Sequence, residues 1–182
     1  NGHVVVQYTN YPAEQIQGKQ REVLAAFDRG KMEADASFFM KTAKESFESI
    51  PRNSDVLVLR STRKWMIQSI IETMNQYRKA RVDLIGQDIV FESLKSISGV
   101  ERVYSYGNGF FSPDTIESDL VEQLRANSYD FVLLPMTNNH IEGYRNVLDI
   151  AELIRSKYIL GVYPEGNIRT IQKSKEIDQR FI

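Results

Sequence analysis

Short apolar runs alternate with longer amphipathic stretches over most of the chain. The runs predicted to be strands are residues 56–59, 82–85, 100–106, 130–134 and 158–163. The first of them is continuously apolar, which is typical of a strand buried on both faces of a parallel sheet. The stretches between the runs repeat apolar residues at three- and four-residue intervals, as helices do. This alternation predicts an α/β fold: a Rossmann-like three-layer domain with a mostly parallel five-stranded sheet.

The N-terminal part of the chain has a different pattern. Apolar residues recur at helical intervals over residues 12–31 and again over residues 33–49, and Gly30 suits the end of the first stretch. We therefore predict a helical N-terminal extension over residues 1–53. It is expected to pack on the following domain or on a partner, with residues 12–49 as a candidate homodimer or interdomain contact.

The second region, residues 54–182, holds all five predicted strands and is expected to form the Rossmann-like domain. After the last strand, residues 164–167 have the composition of a turn. A polar C-terminal tail follows, and residues 169–180 within it are predicted to be helical.

Composition excludes several classes of function. The chain has 182 residues and a formal net charge of -1, so no global field favours nucleic acid or an anionic membrane. No apolar run approaches the roughly 20 residues of a membrane helix, and we expect no nucleic-acid partner and no membrane span. Without cysteine there is no disulfide framework, and the two histidines lack metal-ligand spacing, so no metal site is predicted. These features favour a cytoplasmic protein.

The loop after the first strand is the first candidate site. In an open parallel sheet, ligands bind outside the carboxyl ends of the strands. Arg60, Ser61, Thr62, Arg63 and Lys64 follow the first strand and precede a predicted helix. Three cations and two hydroxyls at a helix N-terminus suit an anion. The loop has no glycine, unlike a P-loop or a dinucleotide fingerprint, and surface cations with a hydroxyl cap explain it equally well.

The loop after the fourth strand is the second candidate site. Its polar residues are Asn138, Asn139, His140, Glu142, Tyr144 and Arg145. His140 with Glu142 could carry out acid–base chemistry, because imidazole titrates near neutrality and a carboxylate can orient it. Asn138 and Asn139 could bind sugar hydroxyls. In the alternative interpretation the amides cap the next helix and His140 is solvated.

Two further loops have a binding and a structural interpretation. Asp88, after the second strand, could bind a ribose hydroxyl, although capping of the next helix is the better explanation. Residues 105–111, after the third strand, place two glycines among aromatic residues. These aromatics either stack on a sugar or base or fold back onto the core.

Four segments resemble a known family in their order and spacing: residues 55–60, 80–86, 100–104 and 124–134. The set resembles the N-terminal, acceptor-side domain of GT-B glycosyltransferases of the lipopolysaccharide heptosyltransferase family, over about 110 of the 182 residues. The resemblance implies a transferase of cell-surface polysaccharide or glycoconjugate biosynthesis that uses no resident cofactor. Arg60, Arg63 and Lys64 would then contact a sugar or glycoconjugate acceptor. The nucleotide-sugar would bind only through a second domain of a longer chain.

The sequence departs from this family at the position of its chemistry. The family places a Gly-Asp pair just after the first strand, whereas residues 61–64 contain no acid here, so no catalytic residue is assigned. The alternative is a non-catalytic Rossmann-like binding or interaction module that docks a partner through its helical extension. A nucleotide-binding enzyme is a third interpretation, and the missing glycine-rich loop counts against it.

Overall fold

The computed structural model describes residues 13–173. The chain divides into two compact units, Asn1–Ser37 and Phe38–Ile182. Helix α1, Ala13–Ser46, supplies the described residues of the first unit, and its last residues belong to the second.

Helix α1 runs through Gly30 without interruption, so the prediction that Gly30 ends a first helix is wrong. A glycine inside a helix costs only about 1 kcal/mol relative to alanine. Gly30 is exposed, and a Cβ placed there would meet nothing within 4 Å. The residue is therefore a weak point in a continuous helix, and it neither caps that helix nor packs against another element.

The second unit is built on a six-stranded sheet. Its strands are β1 Asp55–Leu59, β2 Arg81–Gly86, β3 Arg102–Ser105, β4 Phe131–Pro135, β5 Tyr158–Val162 and β6 Ile168–Lys173. The spatial order is β3-β2-β1-β4-β5-β6, and β1 to β5 pair in parallel. The predicted α/β, Rossmann-like fold is confirmed. Strand order reverses between β1 and β4, which is where such sheets open a crevice for ligands.

Strand β6 corrects the prediction for the C-terminal tail, which was expected to be helical from residue 169. Residues Ile168–Lys173 instead pair antiparallel with β5; residues 174–180 of the predicted helix lie outside the described part. The turn between the two strands is closed by the Tyr163 amide, which donates to the Asn167 carbonyl at 2.9 Å. Ile168 and Ile171 pack on opposite faces of the sheet. The burial of these two side chains stabilises a strand in a segment that is otherwise polar.

Helices cover both faces of the sheet. They are α2 Lys64–Thr73, α3 Phe91–Lys95, α4 Ser118–Ala126 and α5 Arg145–Ile154. A π-helical turn, Met74–Arg78, prolongs α2, and short 3-10 turns occupy Phe47–Ser49, Asp88–Val90 and Ile141–Tyr144. The predicted cap at Asp88 is not used: its carboxylate accepts a hydrogen bond from the Ser105 hydroxyl, and the turn that begins there has no side-chain cap.

The apolar side chains form one core on each face of the sheet. The first includes Phe39, Ala43 and Phe47 with the buried face of α2. The second joins the inner faces of α4 and α5 to the opposite side of the same strands. The end of α1 is tied to this unit because the Ile168 amide donates to the Ser46 hydroxyl at 2.7 Å. Among the described helices, none is long and apolar enough to cross a membrane.

Candidate functional site

A cavity of about 470 Å³ opens at the carboxyl edge of the sheet, where β1 and β4 diverge. Loops that follow four successive strands of the sheet contribute to its walls. The lining residues are Arg60, Ser61, Thr62, Arg63, Gln87, Phe110, Phe111, Thr137, Gly143, Tyr144, Asn146 and Val147. Both the volume and the position are typical of small-molecule sites in open α/β sheets.

The loop after β1 is fixed to its neighbours on both sides. The Arg60 amide donates to the Ile85 carbonyl of β2 at 2.9 Å. On the other side, the Ser61 hydroxyl donates to the Pro135 carbonyl of β4 at 2.5 Å. The hydroxyl of Ser61 therefore bridges the two strands that diverge at the cavity. Thr62 is 8% exposed and completes this wall.

Two guanidinium groups belong to the same wall. The Arg60 Nη1 lies 3.5 Å from Gln87 Oε1, which holds the side chain along the end of β2. Gly86 makes this possible, since a Cβ there would lie 2.3 Å from Leu94 Cδ1 and 3.4 Å from Arg60 Cβ. Arg63 is the residue just before α2, its backbone is extended and its side chain is exposed. It sits where the positive end of the α2 dipole reaches the cavity.

Lys64 is the cation of this loop that points elsewhere. Its Nζ donates to the Ser93 hydroxyl at 3.0 Å, and the residue does not line the cavity. The structure thus brings together Arg60, Ser61, Thr62 and Arg63 from the predicted group and leaves Lys64 outside.

In the loop after β4, too, only part of the predicted group lines the cavity. Tyr144 is buried, and its hydroxyl accepts from the Thr137 amide at 2.6 Å and bonds the Thr137 hydroxyl at 2.7 Å. Asn138 turns inward on its own loop, where its Oδ1 accepts from the His140 amide at 2.9 Å. Of the predicted residues here, Tyr144 alone lines the cavity; Asn138, Asn139, His140, Glu142 and Arg145 are exposed and outside it.

Three polar cavity residues were not predicted: Gln87, Thr137 and Asn146 contribute two amides and a hydroxyl. Phe110 and Phe111 add two aromatic rings from the loop whose aromatic residues had both a binding and a structural interpretation. Each of these residues lies after the carboxyl end of a strand, and the rule that ligands bind at these ends could have identified it as a site residue. The 3-10 turn Ile141–Tyr144 determines which side chains of the loop after β4 face the cavity. So short a turn has no hydrophobic periodicity in the sequence from which these directions could be predicted.

Phe110 and Phe111 lie in a loop that is held by packing and hydrogen bonds to Tyr106. Phe111 is 4% exposed and packs edge-on against Tyr106, with ring centroids 4.7 Å apart. The Tyr106 hydroxyl accepts from the Ser112 amide at 2.7 Å, which closes the loop around the buried ring. Phe110 by contrast is 93% exposed at the edge of the cavity. Phe111 therefore folds back onto the core, as one of the two interpretations predicts, whereas the ring of Phe110 is exposed and its stacking on a ligand stays a prediction.

The charges around the cavity are of one sign. The described residues that line it include two arginines and no aspartate, glutamate, lysine or histidine. No group of acidic or histidine residues in the described part of the chain could hold a metal ion. The two arginines can attract and orient an anion. None of the lining residues named above offers a carboxylate or an imidazole for acid–base catalysis.

Arg60 lines the cavity, but other charged residues of the segments that resemble the glycosyltransferase family lie at the opposite, amino-terminal edge of the sheet. Asp55 Oδ1 pairs with Arg81 Nε at 2.7 Å, joining the starts of β1 and β2. Asp130 accepts from the Asp55 amide at 2.9 Å and from Lys157 Nζ at 2.5 Å. Burial raises the pKa of Asp130, but these two hydrogen bonds outweigh it, and the net pKa is lowered. These side chains join neighbouring strands and face away from the cavity.

A buried acid completes this edge. Asp83 in β2 is fully buried, and its Oδ2 accepts from the Tyr129 hydroxyl at 2.6 Å. Arg102 Nε lies 3.5 Å from the same oxygen. Burial and the bond to Asp83 raise the pKa of Tyr129, and the charge of Asp83 raises the pKa of Arg102. The tyrosine therefore stays protonated and remains a donor at any ordinary pH.

Comparison with known proteins gives structural neighbours only. No protein family and no curated protein matches the sequence. Similar solved structures include a probable oxidoreductase from Mycobacterium abscessus, with 15% identity and a TM-score of 0.45 over 68% of this chain and 36% of that one. CurK enoyl reductase has 16% identity and a TM-score of 0.45 over 72% and 36%. E. coli K-12 YhdH with bound NADPH has 11% identity and a TM-score of 0.41 over 80% and 47%.

These structures correct the family resemblance. Two of them are described as an oxidoreductase and an enoyl reductase and the third as bound to NADPH, so the assignment to heptosyltransferase-like GT-B glycosyltransferases and to polysaccharide biosynthesis is wrong. The physical reason is that the matching segments consist mainly of buried strands, whose apolar runs are typical of any parallel sheet covered on both faces, and of the polar contacts at their amino-terminal ends. The chain spans 36% of the length of the first of these structures. At such identities and TM-scores the likeness concerns the fold and assigns no reaction.

Proposed function

We propose that the Rossmann-like unit is a non-catalytic binding module for a small phosphate- or carboxylate-bearing molecule, held in the cavity between β1 and β4. The observation that carries the proposal is the pair Arg60 and Arg63 on a cavity whose described lining contains no acid. The proposal keeps the cytoplasmic location that the cysteine-free sequence predicts.

The guanidinium pair favours an anion over a neutral ligand. Guanidinium groups bind carboxylate and phosphate through two parallel hydrogen bonds, and these are among the strongest in proteins. The N-terminus of α2 adds a partial positive charge on the same side. Arg60 is half-buried, so its interaction with an anion would be screened less by salt than that of a fully exposed cation.

The lining distinguishes this site from the usual dinucleotide site. In that site a glycine-rich turn lets backbone amides approach the pyrophosphate. Here residues 60–64 contain no glycine, and the cations are side chains. YhdH is described with bound NADPH; for the present chain we propose a smaller ligand that side chains hold.

Alanine at Arg60 or Arg63 is expected to weaken binding of ribose 5-phosphate and AMP by roughly ten- to 100-fold each. The estimate follows from the 1.5–3 kcal/mol, roughly, of a hydrogen bond to a charged group. Isothermal titration calorimetry at low ionic strength measures it. Arg52→Ala is the matched control, because Arg52 is exposed in the loop before β1, at the far edge of the sheet. Equal affinities in all three variants and the wild type, or no binding of either compound, would contradict the proposal.

Helix α1 favours a second binding function, in which a second copy of the chain docks on it. Every described side chain between residues 21 and 35 is exposed, including Leu24 at 53% and Met32 at 43%. Helices in proteins are stabilised mostly by tertiary packing of an apolar face. We propose that these apolar side chains pack against the same helix of a second chain.

Serine at both Leu24 and Met32 is expected to weaken self-association by roughly 100-fold or more, because burial of each side chain contributes roughly 1.5–3 kcal/mol. Sedimentation velocity over a range of concentrations measures the change. Ile89→Ser serves as the control, since Ile89 is 90% exposed on the Rossmann-like unit. A wild-type chain that stays monomeric at every concentration would rule the dimer out.

A further inference from the structure

Phe110 is the feature of the cavity that anion binding alone leaves unexplained. It is 93% exposed, whereas its neighbour Phe111 is 4% exposed within the core. Isolated apolar residues on a surface need no explanation. Phe110, however, lines the same cavity as Arg60 and Arg63, on the loop that follows β3.

The loop that carries Phe110 is held in place by its surroundings. Gly107 and Gly109 have φ values of 101° and 88°, which side-chain-bearing residues rarely adopt. The Asp88 amide donates to the Gly107 carbonyl at 3.0 Å and joins the loop to the end of β2. The buried ring of Phe111 fixes the other end. The loop that carries the exposed ring is therefore already ordered. It would lose little conformational entropy when a ligand contacts the ring.

The order of groups along the cavity suits one class of ligand. The sheet order places the loop of Phe110 beyond β2, Gln87 at the end of β2, and the arginines at the end of β1. An aromatic ring, an amide and a cationic pair thus follow one another along the edge. A flat ring stacks on an aromatic side chain, an amide can bond a sugar hydroxyl, and a guanidinium pairs with phosphate.

We infer that the ligand is a nucleoside monophosphate, with its base on Phe110 and its phosphate on Arg60 and Arg63. This inference rests on the proposed function and adds the identity of the ligand. A sugar phosphate would engage the arginines but leave the aromatic ring without a flat partner. Because every base offers a flat face, the site should accept several bases and favour the larger purines.

The test compares AMP with ribose 5-phosphate on the full chain by isothermal titration calorimetry. AMP is expected to bind roughly five- to 100-fold more tightly, which corresponds to the stacking of one base on an aromatic side chain. Phe110→Ala should weaken AMP to the level of ribose 5-phosphate and leave ribose 5-phosphate unchanged. Phe110→Trp should preserve the preference for AMP. Ile89→Ala, at a residue that is 90% exposed outside the cavity, should change neither affinity.

The outcomes separate this inference from the proposed function. If both compounds bind equally well and both need the arginines, the anion site stands and the nucleotide inference is overturned. The nucleotide inference is also overturned if Phe110→Ala weakens the two compounds by the same factor. If neither compound binds the wild-type chain, the proposed function fails and the inference fails with it.

Discussion

Asp83→Ala is expected to lower the free energy of unfolding by about 2–4 kcal/mol. The substitution leaves the buried Tyr129 hydroxyl without the acceptor that it now reaches at 2.6 Å. A buried donor without a partner costs about 1–3 kcal/mol, and the space left in the core adds to that cost. Arg102 contributes less, because its side chain is 43% exposed and water can replace the carboxylate.

Two opposing effects make this prediction informative. Removal of a buried charge relieves a desolvation penalty, and the Oδ1 of Asp83 has no hydrogen-bond partner in the described part of the chain. Loss of the tyrosine acceptor acts in the other direction. We expect the second effect to dominate, because the hydroxyl of Tyr129 is buried and keeps its proton: burial and Asp83 together raise its pKa.

Conservative variants separate the two effects. Asp83→Asn keeps an acceptor for Tyr129 and removes the charge, so a loss of about 1 kcal/mol is expected. Tyr129→Phe removes the donor, and in that background Asp83→Ala should cost less than in the wild type. Urea denaturation with unchanged m values measures all of them. If Asp83→Ala proves as stable as the wild type, the desolvation penalty of the acid outweighs its bond to Tyr129.

The fold could be predicted because the burial of its strands and helices determines the hydrophobic pattern of the sequence. A central parallel strand must be apolar on both faces, and residues 56–59 meet that requirement without help from context. Strand β6 could not be predicted in the same way. It is a polar edge strand whose pairing depends on β5 and on the turn at residues 163–167, and its own sequence also suits a helix.

The candidate site was only partly predictable, for a related reason. Arg60 and Arg63 stand at the end of a strand, where topology fixes the direction of the loop. His140 and Glu142 also follow a strand, yet the 3-10 turn that begins at Ile141 leaves them exposed. The family resemblance failed because Asp130, one of the residues that carried it, has a structural role here: it joins the starts of neighbouring strands through the Asp55 amide and Lys157.

Gly166→Ala is expected to lower the free energy of unfolding by about 2–5 kcal/mol. Gly166 has a φ of 94°, and a Cβ there would lie 2.4 Å from the Phe39 carbonyl oxygen and 3.0 Å from the Ala43 nitrogen. Both are backbone atoms of α1, and both residues are fully buried. The helix cannot move aside cheaply, because the Ile168 amide bonds Ser46 at 2.7 Å on the same segment.

The two sources of this cost can be measured apart. Gly109 has a φ of 88°, and a Cβ there would meet nothing within 4 Å. Gly109→Ala therefore carries the left-handed strain alone, about 1–2 kcal/mol, and any excess at Gly166 measures the clash with α1. Urea denaturation of both variants gives the difference. Equal losses would mean that the β5–β6 turn and the end of α1 separate without cost. In that case residues 38–46 would contribute little to the stability of the Rossmann-like unit, despite the burial of Phe39 and Ala43.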